Sequence, residues 1–239
     1  MKKVLTSVAL LLSALTMTAQ NVQLHYDLGH SLYNDLSTRP SATTTVEMFK
    51  PDKWGSTFMF TDIDYQSDGV AGAYWEISRE FNVSKNQQWA AHVEYNGGLT
   101  SDVNTWAATR FQHAVLAGPA WNWHSADFSR TFSIQAIHWN VGAFNSFQLT
   151  EVWGLKFANG LCTFDGFCDL WYDPSAKGNW ILLSEPQFWF NLNTLKGWDK
   201  VNLSLGSEVE ISNNFVWNKN KEHDGFYAIP TIAAKWTFE

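Results

Sequence analysis

The chain has 239 residues, of which 16% are aromatic, with 14 tryptophans, and only 16% are charged; its formal net charge is −7. An ordinary soluble domain carries about 25% charged residues, so this surface is short of charge and rich in rings, and with no basic cluster it excludes a nucleic-acid-binding module. Trp and Phe rings settle at headgroup depth in a bilayer, which favours a lipid-facing protein; an aromatic-rich soluble sandwich is the competing reading.

The N-terminus reads as a secretory signal. Lys2 and Lys3 form a short positive region, Val4 to Leu15 an apolar core, and Leu15 to Ala19 a small-residue exit. That places a signal peptide at 1–19 and the mature chain at 20–239. The apolar run is too short to span a bilayer as a helix, and no later run approaches about 20 apolar residues. An exported chain of this kind enters a membrane only as a closed β-barrel, since lipid tolerates no open sheet edge.

From Asn21 onward the text is strand after strand. Val22, Leu24, Tyr26 and Leu28 alternate with Gln23, His25 and Asp27. The stretch from Thr44 to Tyr65 reads as a hairpin turned at Lys50 to Gly55, because proline presets φ and glycine tolerates positive φ. Val46, Met48, Met59 and Ile63 share one face. Glu47, Phe58, Phe60, Asp62 and Asp64 share the other, and a soluble hairpin seldom puts rings on its wet face. Tyr74, Glu76 and Glu80 oppose Ala73, Trp75 and Ile77 in the fourth strand; His92 and Glu94 oppose Ala91 and Val93 in the fifth, after which Gly97-Gly98 predicts a polar loop to about Thr105. The sixth strand, about Thr109 to Trp121, has Arg110 and Gln112 in phase with Leu116, and its facing stays open. Phe132, Ile134 and Ala136 mark the seventh.

Phe147 to Phe157 and Cys162 to Tyr172 form a hairpin about Asn159-Gly160, the strongest two-residue hairpin signal. Cys162 and Cys168 fall on one face of one strand. Six residues of strand cover about 20 Å, whereas a disulfide holds its Cα atoms within about 4.4–6.8 Å, so both are expected as free thiols. The last three strands carry Glu185, Gln187 and Trp189, then Glu208 and Glu210, then Tyr227, Thr231 and Lys235 on their polar faces. Pro186 and Pro230 each remove a ladder donor and predict local irregularities. Leu203 is expected near the bilayer midplane. The count is about twelve strands, so the fold class is all-β: a transmembrane antiparallel β-barrel of about twelve strands in the outer membrane of a Gram-negative bacterium.

With the apolar faces in lipid, the polar faces line a lumen. Its candidate solute-binding residues are Phe58, Phe60, Asp62, Asp64, Tyr74, Glu76, Glu185, Gln187, Trp189, Glu208 and Glu210. Carboxylates accept hydrogen bonds from hydroxyls and amines and repel anions; rings stack on planar or carbohydrate solutes. The same residues would equally fill and hydrate a narrow, closed barrel, since eight strands are plugged by side chains and about sixteen are open. A lipid-modifying enzyme is a third class, with His30-Ser31, His124-Ser125 and His138 as the available dyad components. Neighbouring residues on a strand face opposite ways, so neither dipeptide makes a dyad by itself. No metal or cofactor is expected.

The segments VEMFKPDKWGSTFMFTDIDY, GAYWEISREF, HVEYNGGL, LSEPQFWFNLN and FYAIPTIAAKWTF resemble an uncharacterised family of exported outer-membrane barrels, itself distantly similar to the nucleoside-specific channel-forming (Tsx-like) proteins. The resemblance implies a monomeric twelve-stranded barrel passing nucleosides or similar small solutes. The ending Ala234 to Phe238 resembles the C-terminal signal by which barrel-assembly machinery takes up such chains, with Glu239 as an added residue. The partners expected are therefore outer-membrane lipid, a nucleoside-like solute and that machinery.

Overall fold

The computed structural model describes residues 21–102, 107–110, 113–141, 144–174 and 178–238; the signal segment and Gln112 lie outside them. The strands are β1 Asn21–Asp27, β2 Ala42–Asp52, β3 Gly55–Gln66, β4 Gly69–Asn82, β5 Trp89–Asp102, β6 in two segments Ala107–Arg110 and Ala114–His124, β7 Arg130–Val141, β8 Phe144–Phe157, β9 Cys162–Tyr172, β10 in two segments Trp180–Ser184 and Gln187–Asn191, β11 Leu203–Asn213 and β12 Phe226–Thr237. The two segments of β6 both pair with β5, and those of β10 both pair with β9 and β11. The fourteen segments of the sheet are thus twelve strands. Every pairing is antiparallel, and β12 returns to pair with β1 from Asn21↔Thr237 to Asp27↔Thr231, which closes the ring.

Closure satisfies every edge, and the period-two pattern then sorts the side chains. Leu24, Ile77, Val93, Val115, Leu205 and Ile232 project outward and are exposed. Gln23, His25, His92, Ser204 and Ser212, in the opposite phase, are buried. This is a soluble protein's order turned inside out, and lipid is the solvent that makes it favourable. At the end where the chain starts and stops, Phe81, Trp89, Trp123, Phe157, Trp236 and Phe238 are exposed; Tyr26, Phe147, Trp180 and Phe226 are exposed towards the other. Between the two sets of rings the outward face carries aliphatic side chains such as Leu24, Ile77, Val93, Val115, Leu205 and Ile232.

Several local expectations are corrected. β5 runs straight through Gly97 and Gly98 to Asp102, where a loop is predicted; Gly97 instead gives room to Trp75, whose indole would lie about 3.0 Å from an added Cβ. The open facing of β6 is resolved with Leu116, Ala114 and Ala120 inward, and Leu116 packs with inward Ile137. The β8–β9 turn takes four residues rather than two, with positive φ at Ala158, Asn159 and Gly160. Leu203 is the first residue of β11, opposite Trp236, and so stands at the membrane edge rather than the midplane. At Pro186 the predicted irregularity is the break that splits β10. Near Pro230 the ladder loses Glu208, whose N–H donates instead to the Thr231 hydroxyl at 3.0 Å.

The end opposite the termini carries the two longest connections, 28–41 and 214–225, and long loops mark the extracellular side of such barrels. The first contains a short helix, α1 (Gly29–Leu32), and a 3₁₀ turn, Asn34–Leu36. Leu36 is fully buried against Val216 of the second connection and against Tyr227 and Ile229, which point inward from β12. The Tyr227 hydroxyl donates to Asp35 at 2.6 Å, and the Tyr33 hydroxyl donates to the Ala228 carbonyl at 3.1 Å. Phe215 crosses to meet Trp171 of β9 edge-on. Both connections thus fold over one side of the mouth as a cap.

Candidate functional site: the acidic and aromatic lumen

Strand phase places the lumen carboxylates, and several are then held by a neighbour on the same or the adjacent strand. Thr45 donates to Asp62 at 2.5 Å and Thr43 to Asp64 at 2.6 Å, because the β2–β3 register sets each pair side by side. The Tyr74 hydroxyl donates to Glu76 at 2.6 Å. Gln187 donates to Glu208 at 2.6 Å, and Ser212 to Glu210 at 3.2 Å. Glu185, at the break in β10, lies within electrostatic range of Glu208, Glu210 and, on the far wall, Asp62. Glu76, Glu94 and Asp169 likewise sense one another across the lumen.

Phe58, Phe60 and Tyr74 form a ladder of tilted rings down the β3–β4 wall, with centroids 6.0 Å apart at each step. At its outer end a cavity of about 230 Å³ opens beside the cap, lined by Pro40, Asp64, Gln66, Gly72, Tyr74 and Thr100 among others. Trp189 also faces inward but is fully buried. His25 meets it edge-on at 5.9 Å, Lys235 lies over its face at 4.1 Å, and its N–H donates to Gln187 at 2.9 Å. Phe58 and Phe60 are part-exposed on the inward face, while the face of Trp189 is covered.

Three lumen groups were not legible as site residues. Arg39, from the cap, reaches down between Asp27 and Glu210, with Nε 2.8 Å and Nη2 2.7 Å from their oxygens. His92 bridges Glu80 at 3.4 Å and Glu94 at 3.0 Å, and Asn122 and Gln135 complete the shell of Glu80. His25 joins Thr231 to Gln23 at 3.2 and 2.9 Å. The two histidines alternate correctly with apolar residues and could have been found by strand phase; Arg39 sits in a loop with no periodicity to read. Among the described residues, carboxyl groups outnumber the cations Arg39, Lys156 and Lys235 on the inward face, so the lining is acidic in composition.

Among the described residues, neither His124 nor His138 is hydrogen-bonded to a serine hydroxyl. The Ser125 hydroxyl donates to Asp127 at 2.6 Å rather than to His124, whose ring stacks on Phe128 at 4.1 Å. His138 on the outer wall contacts Asn145 at 3.1 Å. In this turn between β6 and β7, outside the membrane, the Ser125 hydroxyl and then the Ser129 amide and hydroxyl hold the Asp127 carboxyl down to about 2. A carboxylate lowered in the folded state adds stability above its ordinary value near 4, and that stability is lost as pH falls towards 2. The Ser129 amide resonance should therefore titrate near pH 2 in micelles; a midpoint near 4 would show that the turn does not engage the carboxylate.

Cys162 and Cys168 are free thiols on the outer face, as expected. A closed twelve-stranded barrel with an apolar outer band, rings at both edges and a charged interior is an outer-membrane β-barrel of the Gram-negative envelope, with a porin fold. Residues 19–238 match the family described as Domain of unknown function (DUF5020), and the chain belongs to that family. No curated protein matches it. Among solved structures it is similar to the NanC porin, with TM-score 0.56 and 10% identity over 92% of this chain and 100% of that one. It is also similar to the KdgM porin, with TM-score 0.51 and 8% identity over 93% and 100%. A KdgM porin in complex with disordered oligogalacturonate matches with TM-score 0.50 and 8% identity over the same shares. At such identities the likeness is one of fold.

Proposed function

We propose that this barrel, exported by its N-terminal signal and assembled through its C-terminal strand, is a channel for small polar solutes that prefers cations and neutral ring compounds, nucleosides included. The observation that carries the reading is the Phe58–Phe60–Tyr74 ladder. It leads inward from the cavity beside the cap and runs along Asp62, Asp64 and Glu76. Rings offer stacking to planar solutes, while the carboxylates accept from hydroxyl and amine donors and turn anions away. Oligogalacturonate, the polyanion in the KdgM complex, is of the wrong charge for this lumen. The nucleoside class rests on the resemblance to Tsx-like channels together with the ladder.

Purified protein in a planar bilayer tests this. Currents should be cation-selective, and nucleosides at millimolar concentration, where binding is worth about 4 kcal/mol, should partly block them. Phe60→Ala should weaken the block roughly tenfold, since a stacked base contributes about 1–3 kcal/mol, with the barrel still folded. Equal block by nucleosides and by sugars of the same size would remove the nucleoside preference and leave the channel. A second reading has its own support: Leu36, Leu116, Ile137 and Trp189 are all fully buried inside the ring, as in a closed structural barrel. A folded, reconstituted protein that passes no current would decide for it.

A further inference from the structure

Two contacts inside the ring run across the lumen instead of along its wall. Trp189 of β10 and His25 of β1 meet edge-on although β11 and β12 stand between them. Lys235 of β12 reaches past β11 and β10 to Asp165 of β9, its Nζ 3.9 Å from Oδ2, and lies over the Trp189 ring on the way. On its other side it is within electrostatic range of Glu47 of β2, on which Asp165 also acts. Glu47 is level with Phe60 across the β2–β3 ladder, which brings this ammonium to the depth of the ring ladder. The Lys235 side chain is only 12% exposed. Among the described residues the buried Asp165 Oδ1 accepts no hydrogen bond, so the pair is held by charge at 3.9 Å and is not locked in place. The other lumen cations are placed differently: Arg39 is bonded to two carboxylates near the cap, and Lys156, which also acts on Asp165, is exposed near the end of β8.

We propose that Lys235 is a specificity-determining residue of the lumen: its ammonium holds back small cations on an acidic path, so that neutral ring solutes compete with them. The inference rests on the channel reading above and deepens it. Carboxylates alone would make this lining a plain cation pore, because each lowers the energy of a passing cation. A fixed ammonium among them raises that energy again. A neutral nucleoside feels neither charge strongly and is retained by stacking on the rings. Position decides which cation matters. Lys235 is enclosed, where water and salt screen a charge least, whereas an exposed charge such as Lys156 is screened within about 8–10 Å.

Reversal potentials in a planar bilayer across a potassium chloride gradient test this. Lys235→Met keeps an unbranched stem on Trp189 and removes only the charge. The potassium-to-chloride permeability ratio should then rise about fivefold or more, since one unit charge about 4 Å from the path is worth about 1 kcal/mol even in water. Lys235→Arg should keep the ratio of the unmodified protein, and Lys156→Met should change it far less. Asp165→Asn removes the opposing carboxylate and should lower the ratio, which reads the charge at this level even where Lys235→Met does not fold. A conducting barrel whose ratio is indifferent to Lys235→Met, or equally sensitive to Lys156→Met, overturns the inference and leaves the channel standing. So does a ratio that Asp165→Asn leaves unchanged or raises. Unmodified protein that passes no current overturns the channel reading and this inference together.

Discussion

Arg39→Ala is expected to release the cap from the lumen while leaving the barrel folded. The guanidinium answers two carboxylates at once, Asp27 and Glu210, each with little exposed side chain. Removing one partner of such a buried group leaves the other charges uncompensated, which costs about 3 kcal/mol or more. The loss falls on the 28–41 connection, because strand pairing elsewhere does not involve Arg39. Amide exchange of Leu36 and Arg39's neighbours should accelerate by two or more orders of magnitude, and single-channel conductance should rise as the covered side of the mouth opens. Arg39→Lys should recover only part of the effect, since an ammonium cannot span both carboxylates as the planar fork does. Unchanged protection at Leu36 would mean that the cap is held by its apolar cluster alone.

The second large effect is on the outer wall. Ile77, midway along β4 and 47% exposed, lies in the lipid band between Met59 and Tyr95. Arg at this position should destabilise the folded barrel by about 2–4 kcal/mol, the cost of a cation on the lipid face near mid-depth. The same residue at Asn96, in the next row but on the lumen face opposite Glu76, should cost far less, because Glu76 and Glu94 offer partners. Denaturant titration in liposomes or micelles measures both. Equal tolerance at the two positions would be incompatible with lipid on one side and an acidic lumen on the other.

Residue order alone determined the wall of this protein. A strand's side chains alternate with a period of two whatever surrounds it, so Leu24 against His25, Ile77 against Glu76 and Ile232 against Thr231 could each be assigned to a face before any pairing was known. The inverted pattern, rings and carboxylates together on the inner face, further required lipid outside, and with export that leaves only a closed barrel. The same rule placed Phe58, Phe60, Asp62, Asp64, Tyr74 and Glu76 along one wall.

What only the tertiary structure decided is what happens across the lumen and at its mouth. Whether Trp189 offers a free face depends on Lys235 and His25, which arrive from strands distant in the chain. The facing of β6 depended on Ile137 of the next strand accepting Leu116 inside, since Arg110, Gln112 and Leu116 in one phase carry no decisive pattern. The cap has no periodicity at all: residues 28–41 and 214–225 are brought together only because β12 closes onto β1, and that closure is what sets Leu36 against Val216 and Arg39 between Asp27 and Glu210. Local pattern reports which side of a strand is wet, whereas contacts between loops and between opposite walls come from ring closure, and no window of residues contains it.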